Sequence, residues 1–256
     1  MPLAPTPPTW LTRVGVFDLE TTGVDVTADR IVTAHVGVLD GSGREIAARS
    51  WLADPGIPIP DAAASIHGVT TQHARSDGRP AAAVVAEITA ALRALLALGV
   101  PIVAYNASYD FSLLTHEAVR HGVTPLIDPS PVIDPFVIDR AFDRYRPGKR
   151  TLGVVAAHYA VPLDDAHEAS ADAVAAGRVA QQLARHFDMP GSARELHARQ
   201  IAWARSQAES LTEYFVRIGR IERQETVDGR WPVRLPAHGA RSPGQDGSAG
   251  IESRRP

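Results

Sequence analysis

Two carboxylates, Asp18 and Glu20, stand two residues apart within RVGVFDLETT (residues 13–22). On a strand this spacing sends both side chains from the same face, where they can bind a common ion. Taken alone, the pair is more simply a solvated strand end or a turn. Farther along, His167 and Asp172 stand five apart in HEASAD. They set an imidazole able to exchange a proton near neutral pH beside an acid. Outside a larger pattern that histidine reads as a surface residue flanking a helix. The same spacing joins His35 and Asp40, and in a chain with ten histidines chance suffices for such a match. We set this second pair aside, because it falls on a strand and its turn, where sheet and turn roles account for both residues.

The elements that must position these groups follow from hydrophobic pattern. Residues 13–22 read as a mostly buried strand, with Val14, Val16, Phe17 and Leu19 apolar and Thr-Thr-Gly closing it. Residues 30–40 and 44–52 flank Gly41-Ser42-Gly43 and form a hairpin. After a proline-rich connection, residues 81–98 have the alanine and leucine content of a helix, which Gly99 ends. A short buried strand at 101–105 precedes a helix at 108–121. A last short strand is expected at 131–134, then helices at 152–159 and 168–187. The order β-β-β-α-β-α-β-α-α predicts an α/β domain, with a meander and βαβ units in one mixed sheet flanked by helices.

Four segments stand in order on these elements: DLETTG at 18–23, IHGVT at 66–70, YNASYD at 105–110 and HEASAD at 167–172. Together they resemble the signatures of the DnaQ-like exonucleases, the DEDDh group within the ribonuclease H-like fold, over about residues 12–187. The resemblance implies a five-stranded sheet of that fold, antiparallel meander plus parallel strands, with a C-terminal helical extension. It implies that Asp18, Glu20, Asp110 and Asp172 are metal ligands, Asp18 bridging two ions, and that His167 is the general base. Four carboxylates in one pocket would repel one another unless cations compensate, and two divalent ions balance them. Oxygen donors suit Mg²⁺ or Mn²⁺ better than zinc. The resemblance also implies substrate contacts around Leu19, Thr21 and Thr22, with His67 and Val69 against the base and Asn106 near the backbone. Asn106 reads equally as a helix cap, and His67 as a core histidine. Tyr105 replaces the family's usual His and Tyr109 its usual Phe.

The activity so implied is a metal-dependent 3′→5′ exonuclease releasing nucleoside monophosphates from single-stranded DNA, similar to polymerase III epsilon-type proofreading domains, in proofreading or repair. The rival is the same chemistry on RNA ends, as in ribonuclease T-like or oligoribonuclease-like members; the ETTG and IHGVT forms lean toward DNA. A non-catalytic module beside a polymerase is the reading from another class, and retention of all five catalytic residue types speaks against it. Expected partners are DNA 3′ ends and a DNA polymerase, with a monomer or homodimer and no membrane.

Composition is consistent with this. A chain of 256 residues, 45% hydrophobic and 21% charged, should fold as one core domain with extensions. It has no cysteine, which excludes disulfides, thiolate metal sites and a thiol nucleophile. Neither a signal peptide nor an 18-residue apolar run is present, so a cytoplasmic protein is expected. A net charge of −3 argues against coating duplex DNA by bulk charge, and the acidic excess lies before residue 188. The densest basic stretch, Arg140, Arg144, Arg146, Lys149 and Arg150, is interleaved with Phe142 and Tyr145. It reads as a solvated face or as a positive groove for a single strand. Residues 188–236 form a helical extension, where Ala204, Ala208, Leu211, Phe215 and Ile218 make one apolar stripe. That stripe is expected to pack on its own domain rather than on a partner. Residues 1–11 and 237–256 read as disordered.

Overall fold

The computed structural model describes residues 8–163 and 166–235. The expected tail at 237–256 lies outside the described residues, as do residues 1–7. The three strands of the meander are β1 (Arg13–Thr21), β2 (Ile31–Asp40) and β3 (Glu45–Asp54), with β2 antiparallel to both neighbours. Two seven-residue helices, α1 (Asp61–His67) and α2 (Thr71–Asp77), occupy the proline-rich connection, followed by β4 (Arg79–Pro80) and α3 (Ala81–Ala97). Next come β5 (Ile102–Val103), α4 (Ala107–Arg120), β6 (Val132–Ile133) and α5 (Pro135–Phe142). The chain continues through α6 (Leu152–His158), α7 (Ala169–His186) and α8 (Ala193–Arg217).

The sheet is mixed, as expected, but has six strands in the order β4-β3-β2-β1-β5-β6 rather than five. The extra strand is the two-residue β4, parallel to β3, and its proline is tolerated because the strand sits at the sheet edge. β5 lies parallel to β1, and β6 parallel to β5. β1 is therefore central, which explains its near-continuous apolar run.

Residues of β1 alternate between two cores. Val14 and Val16 pack with Val179, Ala180 and Leu183 of α7, while Phe17 and Leu19 pack with Ile88 of α3 and Phe111 of α4. Gly177 lets α7 approach the sheet, since a Cβ there would lie 2.5 Å from Val16 Cγ1 and 2.6 Å from Leu39 Cδ1. Gly177→Ala is expected to destabilise the protein by about 1–3 kcal/mol through overpacking, outweighing the ~1 kcal/mol of helix propensity gained. A thermal melt checks this, and an unchanged midpoint would mean that Val16 and Leu39 give way freely.

The disorder expected over residues 1–11 does not hold for Pro8–Leu11. Thr9–Thr12 form a 3-10 helix, Trp10 and Leu11 are buried, and Trp10 Nε1 donates to Pro190 O at 3.3 Å. The tryptophan supplies the apolar area that the proline content concealed. α8 packs back on its own domain through Leu196, Gln200, Ala204 and Ala208, while Ile218 at the end of its stripe is exposed. It also closes the β6 edge. His197 Nδ1 accepts from Val132 N at 3.0 Å, Gln200 Oε1 accepts from Asp134 N at 2.6 Å, and Gln200 Nε2 donates to Val132 O at 3.0 Å. Among the described residues no helix is long and apolar enough to cross a membrane.

Candidate active site

Asp18 and Glu20 lie toward the C-terminal end of β1, where its neighbours are the antiparallel β2 and the parallel β5. Two helices begin beside them. Asp110 is in the first turn of α4 and Asp172 in the first turn of α7, so both carboxylates sit where helix dipoles favour negative charge. The fold thus gathers four acids from β1, α4 and α7.

The electrostatics record their proximity. Asp18 is half-buried; burial raises its pKa well above the usual carboxylate range, and the charges of Asp110, Glu20 and Asp172 raise it further. Asp110 is 3% exposed and is raised by burial, with the charges of Asp134 and Glu20 adding and the Leu19 backbone opposing. Glu20 is pushed up to about 7 by burial and then by Asp172. Asp172 is also raised, by burial first, with His167 opposing.

Glu20, His167 and Asp172 bring ligand atoms within 4.8 Å of one another. Asp172 Oδ2 accepts from the His167 backbone N–H at 3.3 Å, while Asp172 Oδ1 is buried without a hydrogen-bond partner among the described residues. An unpartnered carboxylate oxygen within a crowd of acids is the donor set that a hard divalent cation requires. His167 is exposed on the turn before α7, in a left-handed conformation (φ 73°).

The expected substrate residues divide. Leu19 and Val69 are buried, Leu19 in the main core and Val69 with Val32, Ile59 and Ala74. Thr22 is 2% exposed and donates to Asp29 Oδ1 at 2.7 Å, so its hydroxyl serves the turn. Thr21, His67 and Asn106 remain accessible. Asn106 stands at the N-cap of α4, exposed and at φ 59°, and its side chain makes no capping hydrogen bond. His67 is half-buried rather than a core residue; its Nδ1 accepts from Val69 N at 3.2 Å and its Nε2 has no partner among the described residues. Tyr109 does more than fill an aromatic position: its hydroxyl lies 2.6 Å from Thr21 Oγ1 and donates to Gly23 O at 2.6 Å, tying α4 to the end of β1. Tyr105 donates to Arg150 O at 2.6 Å.

His35 and Asp40, set aside above, are fully engaged elsewhere. His35 meets Ser50 Oγ and Glu45 Oε1, both at 2.8 Å, and Asp40 accepts from Ser42 and Arg44 within its turn.

The basic stretch is a correction in part. Arg146 and Arg150 are both committed to Asp139, a fully buried carboxylate that also accepts from Tyr159. A buried acid demands such partners, so these two guanidiniums are committed to structure, although both also border the cavity between α5 and α8.

Sequence reasoning overlooked Asp134. It is 1% exposed and accepts from Asn106 N (2.9 Å), Ala107 N (2.9 Å), Phe136 N (3.0 Å) and Trp231 Nε1 (3.1 Å). Asp134 thereby fixes the start of α4, three residues before Asp110, while capping α5. The Asp-Pro pair was its signal, an N-cap followed by proline at the first helical position. Arg234 joins it from the C-terminal side, donating to Ser108 Oγ at 2.8 Å.

Residues 16–180 match the exonuclease family model (RNase_T). The chain is 28% identical over 165 residues to a DNA polymerase III PolC-type of Streptococcus sanguinis, covering 64% of this chain and 10% of that protein. It is 26% identical over 241 residues to the PolC-type polymerase of Lacticaseibacillus paracasei, covering 82% and 16%. The chain therefore spans only a small part of the length of these relatives. Among solved structures it resembles exonuclease I, at a TM-score of 0.57 and 20% identity over 77% of this chain and 44% of that one. It also resembles E. coli exonuclease I in complex with a dT13 oligonucleotide, at 0.54 and 22% over 66% and 40%. At these identities the structural likeness is one of fold.

Proposed function

The chain belongs to the DnaQ-like 3′→5′ exonuclease family, and we propose that it releases nucleoside monophosphates one at a time from the 3′ ends of single-stranded DNA. The observation that carries this reading is the gathering of Asp110, Glu20 and Asp172 around Asp18, with Asp172 Oδ1 left unsatisfied among the described residues. Asp18, Glu20, Asp110 and Asp172 would hold two Mg²⁺ or Mn²⁺ ions. When bound, such ions supply Lewis-acid stabilisation of the phosphodiester and make water acidic enough to ionise near neutral pH.

The chain's own residues do the rest. His167, exposed beside Asp172, accepts the proton of the attacking water at its imidazole. Thr21, His67 and Asn106 hold the terminal nucleotide, and Leu19, Thr22 and Val69 shape that pocket from behind by packing and backbone. The PolC-type relatives, of which such a segment is about a tenth, support a proofreading or repair role beside a polymerase in the cytoplasm.

The test is incubation of the protein with 5′-labelled single strands of DNA and of RNA in Mg²⁺ or Mn²⁺. A ladder shortening from the 3′ end of DNA, stopped by EDTA, is expected. A ladder on RNA alone would overturn the DNA assignment, and activity indifferent to EDTA would overturn the metal assignment.

A further inference from the structure

A groove runs between α5 and α8. At one end, Asn106 and Ser108 at the start of α4 border a cavity of about 160 Å³ together with Arg140 and Gln207. At the other, Arg140 and Gln207 border a cavity of about 380 Å³ with Arg144 of the following turn and Ser206 and Ser210 of α8. Because Arg140 and Gln207 line both, the two cavities form one path leading away from the exposed Asn106.

The charges along it are distinctive. Arg140 is half-buried, with its guanidinium 5.1 Å from the Phe136 ring centroid. It forms no ion pair among the described residues, whereas nearby Arg146 and Arg150 share Asp139. Burial and then the charge of Arg150 lower its pKa. Two carboxylates line the same cavity, but Asp228 is paired with Arg230 and Asp134 is taken by four other donors. Arg140 is thus a cation held partly out of water with no acid bonded to it, a charge that an anion would satisfy. Arg144 adds an exposed second guanidinium. Ser206 and Ser210, one helical turn apart on the same face, add hydroxyl donors.

We propose that this groove carries the sugar–phosphate backbone of the single strand whose 3′ end lies in the active site, with Arg140 and Arg144 each contacting a phosphate. The inference rests on the exonuclease reading above. Guanidinium–phosphate contacts position a strand without reading its bases, so the track is tolerant of sequence. It also assigns work to α8, which forms one wall and lies after the family-matched residues 16–180.

The test compares two substrates in Mg²⁺: a twelve-nucleotide single strand, long enough to enter the groove, and the p-nitrophenyl ester of thymidine 5′-phosphate, which stops short of it. In Arg140→Gln and in Arg144→Glu, the KM for the strand is expected to rise about threefold to tenfold. The slope of log affinity against log salt should fall by roughly 0.7 per arginine, on oligo-dT and oligo-dA alike, while the ester keeps its KM. Arg144 is exposed, so charge reversal there leaves the core intact. An unchanged KM and salt slope for the strand would overturn the groove. So would an equal loss on both substrates with Arg144→Glu, which would put that arginine at the reacting end. A wild-type protein inactive on both substrates would instead sink the exonuclease reading beneath it.

Discussion

Asp18→Asn is expected to lower exonuclease activity by roughly three orders of magnitude and, unusually for so central a residue, to stabilise the protein when no divalent ion is present. Asp18 is half-buried, with its pKa raised by burial and then by Asp110, Glu20 and Asp172. Without cations its ionised form opposes folding, and an amide of the same shape removes both the desolvation and the repulsion. The pH dependence follows from Glu20, whose folded pKa is about 7 against an ordinary 4.5. Between those values the folded state keeps a proton that the unfolded state has lost. Stability of the metal-free protein therefore falls as pH rises through that window and stays low above it. Allowing for the partial exposure of Glu20, that loss is roughly 1–3 kcal/mol. Thermal melts in EDTA at pH 5 and pH 8 measure it. The wild-type midpoint should drop between them and recover with Mg²⁺, and Asp18→Asn should exceed wild type at pH 8. A lower midpoint for the variant at pH 8 in EDTA would make Asp18 a structural carboxylate.

Asp134→Ala is expected to destabilise the protein by about 3–5 kcal/mol and to reduce activity even at temperatures where it remains folded. Removing this carboxylate strands the N–H groups of Asn106, Ala107 and Phe136 and the Trp231 indole, four donors within 3.1 Å of it. It also frees Asn106 to leave its left-handed conformation, which asparagine adopts more readily than other non-glycine residues but does not favour. Relaxation there moves the first turn of α4 and with it Asp110. Urea denaturation gives the stability change, and the 5′-labelled strand assay at 10 °C gives the activity. Wild-type values of both would show that α4 is fixed by its hydrophobic face alone.

What could be read in advance was set by local pattern. The alternation of Val14, Val16, Asp18 and Glu20, the Gly41-Ser42-Gly43 turn and the long alanine-rich α3 and α7 each carry their own signal, and three of the four acids fall on them, with Asp110 on α4. What escaped reading is held by distant contacts. α1 and α2 are seven-residue helices too short to announce themselves by periodicity, and β4 exists because Arg79 and Pro80 fall beside β3. The basic stretch looked free because Asp139, seven and eleven residues before Arg146 and Arg150, gives no sign in sequence of being fully buried. Asp134 was recognisable as a helix cap, but its grip on Asn106 and Trp231 was not. Their separations of 28 and 97 residues have no local signature.

The closure of β6 by His197 and Gln200 has a consequence for the order in which the molecule is completed. As the chain is synthesised, both faces of the sheet can be covered once α7 has emerged, yet the outer edge of β6 stays open until the first half of α8 arrives. The fourth donor to Asp134 arrives later still, with Trp231. The set of donors on Asp134, the residue that holds the start of α4, is thus complete only when nearly all of the described chain exists.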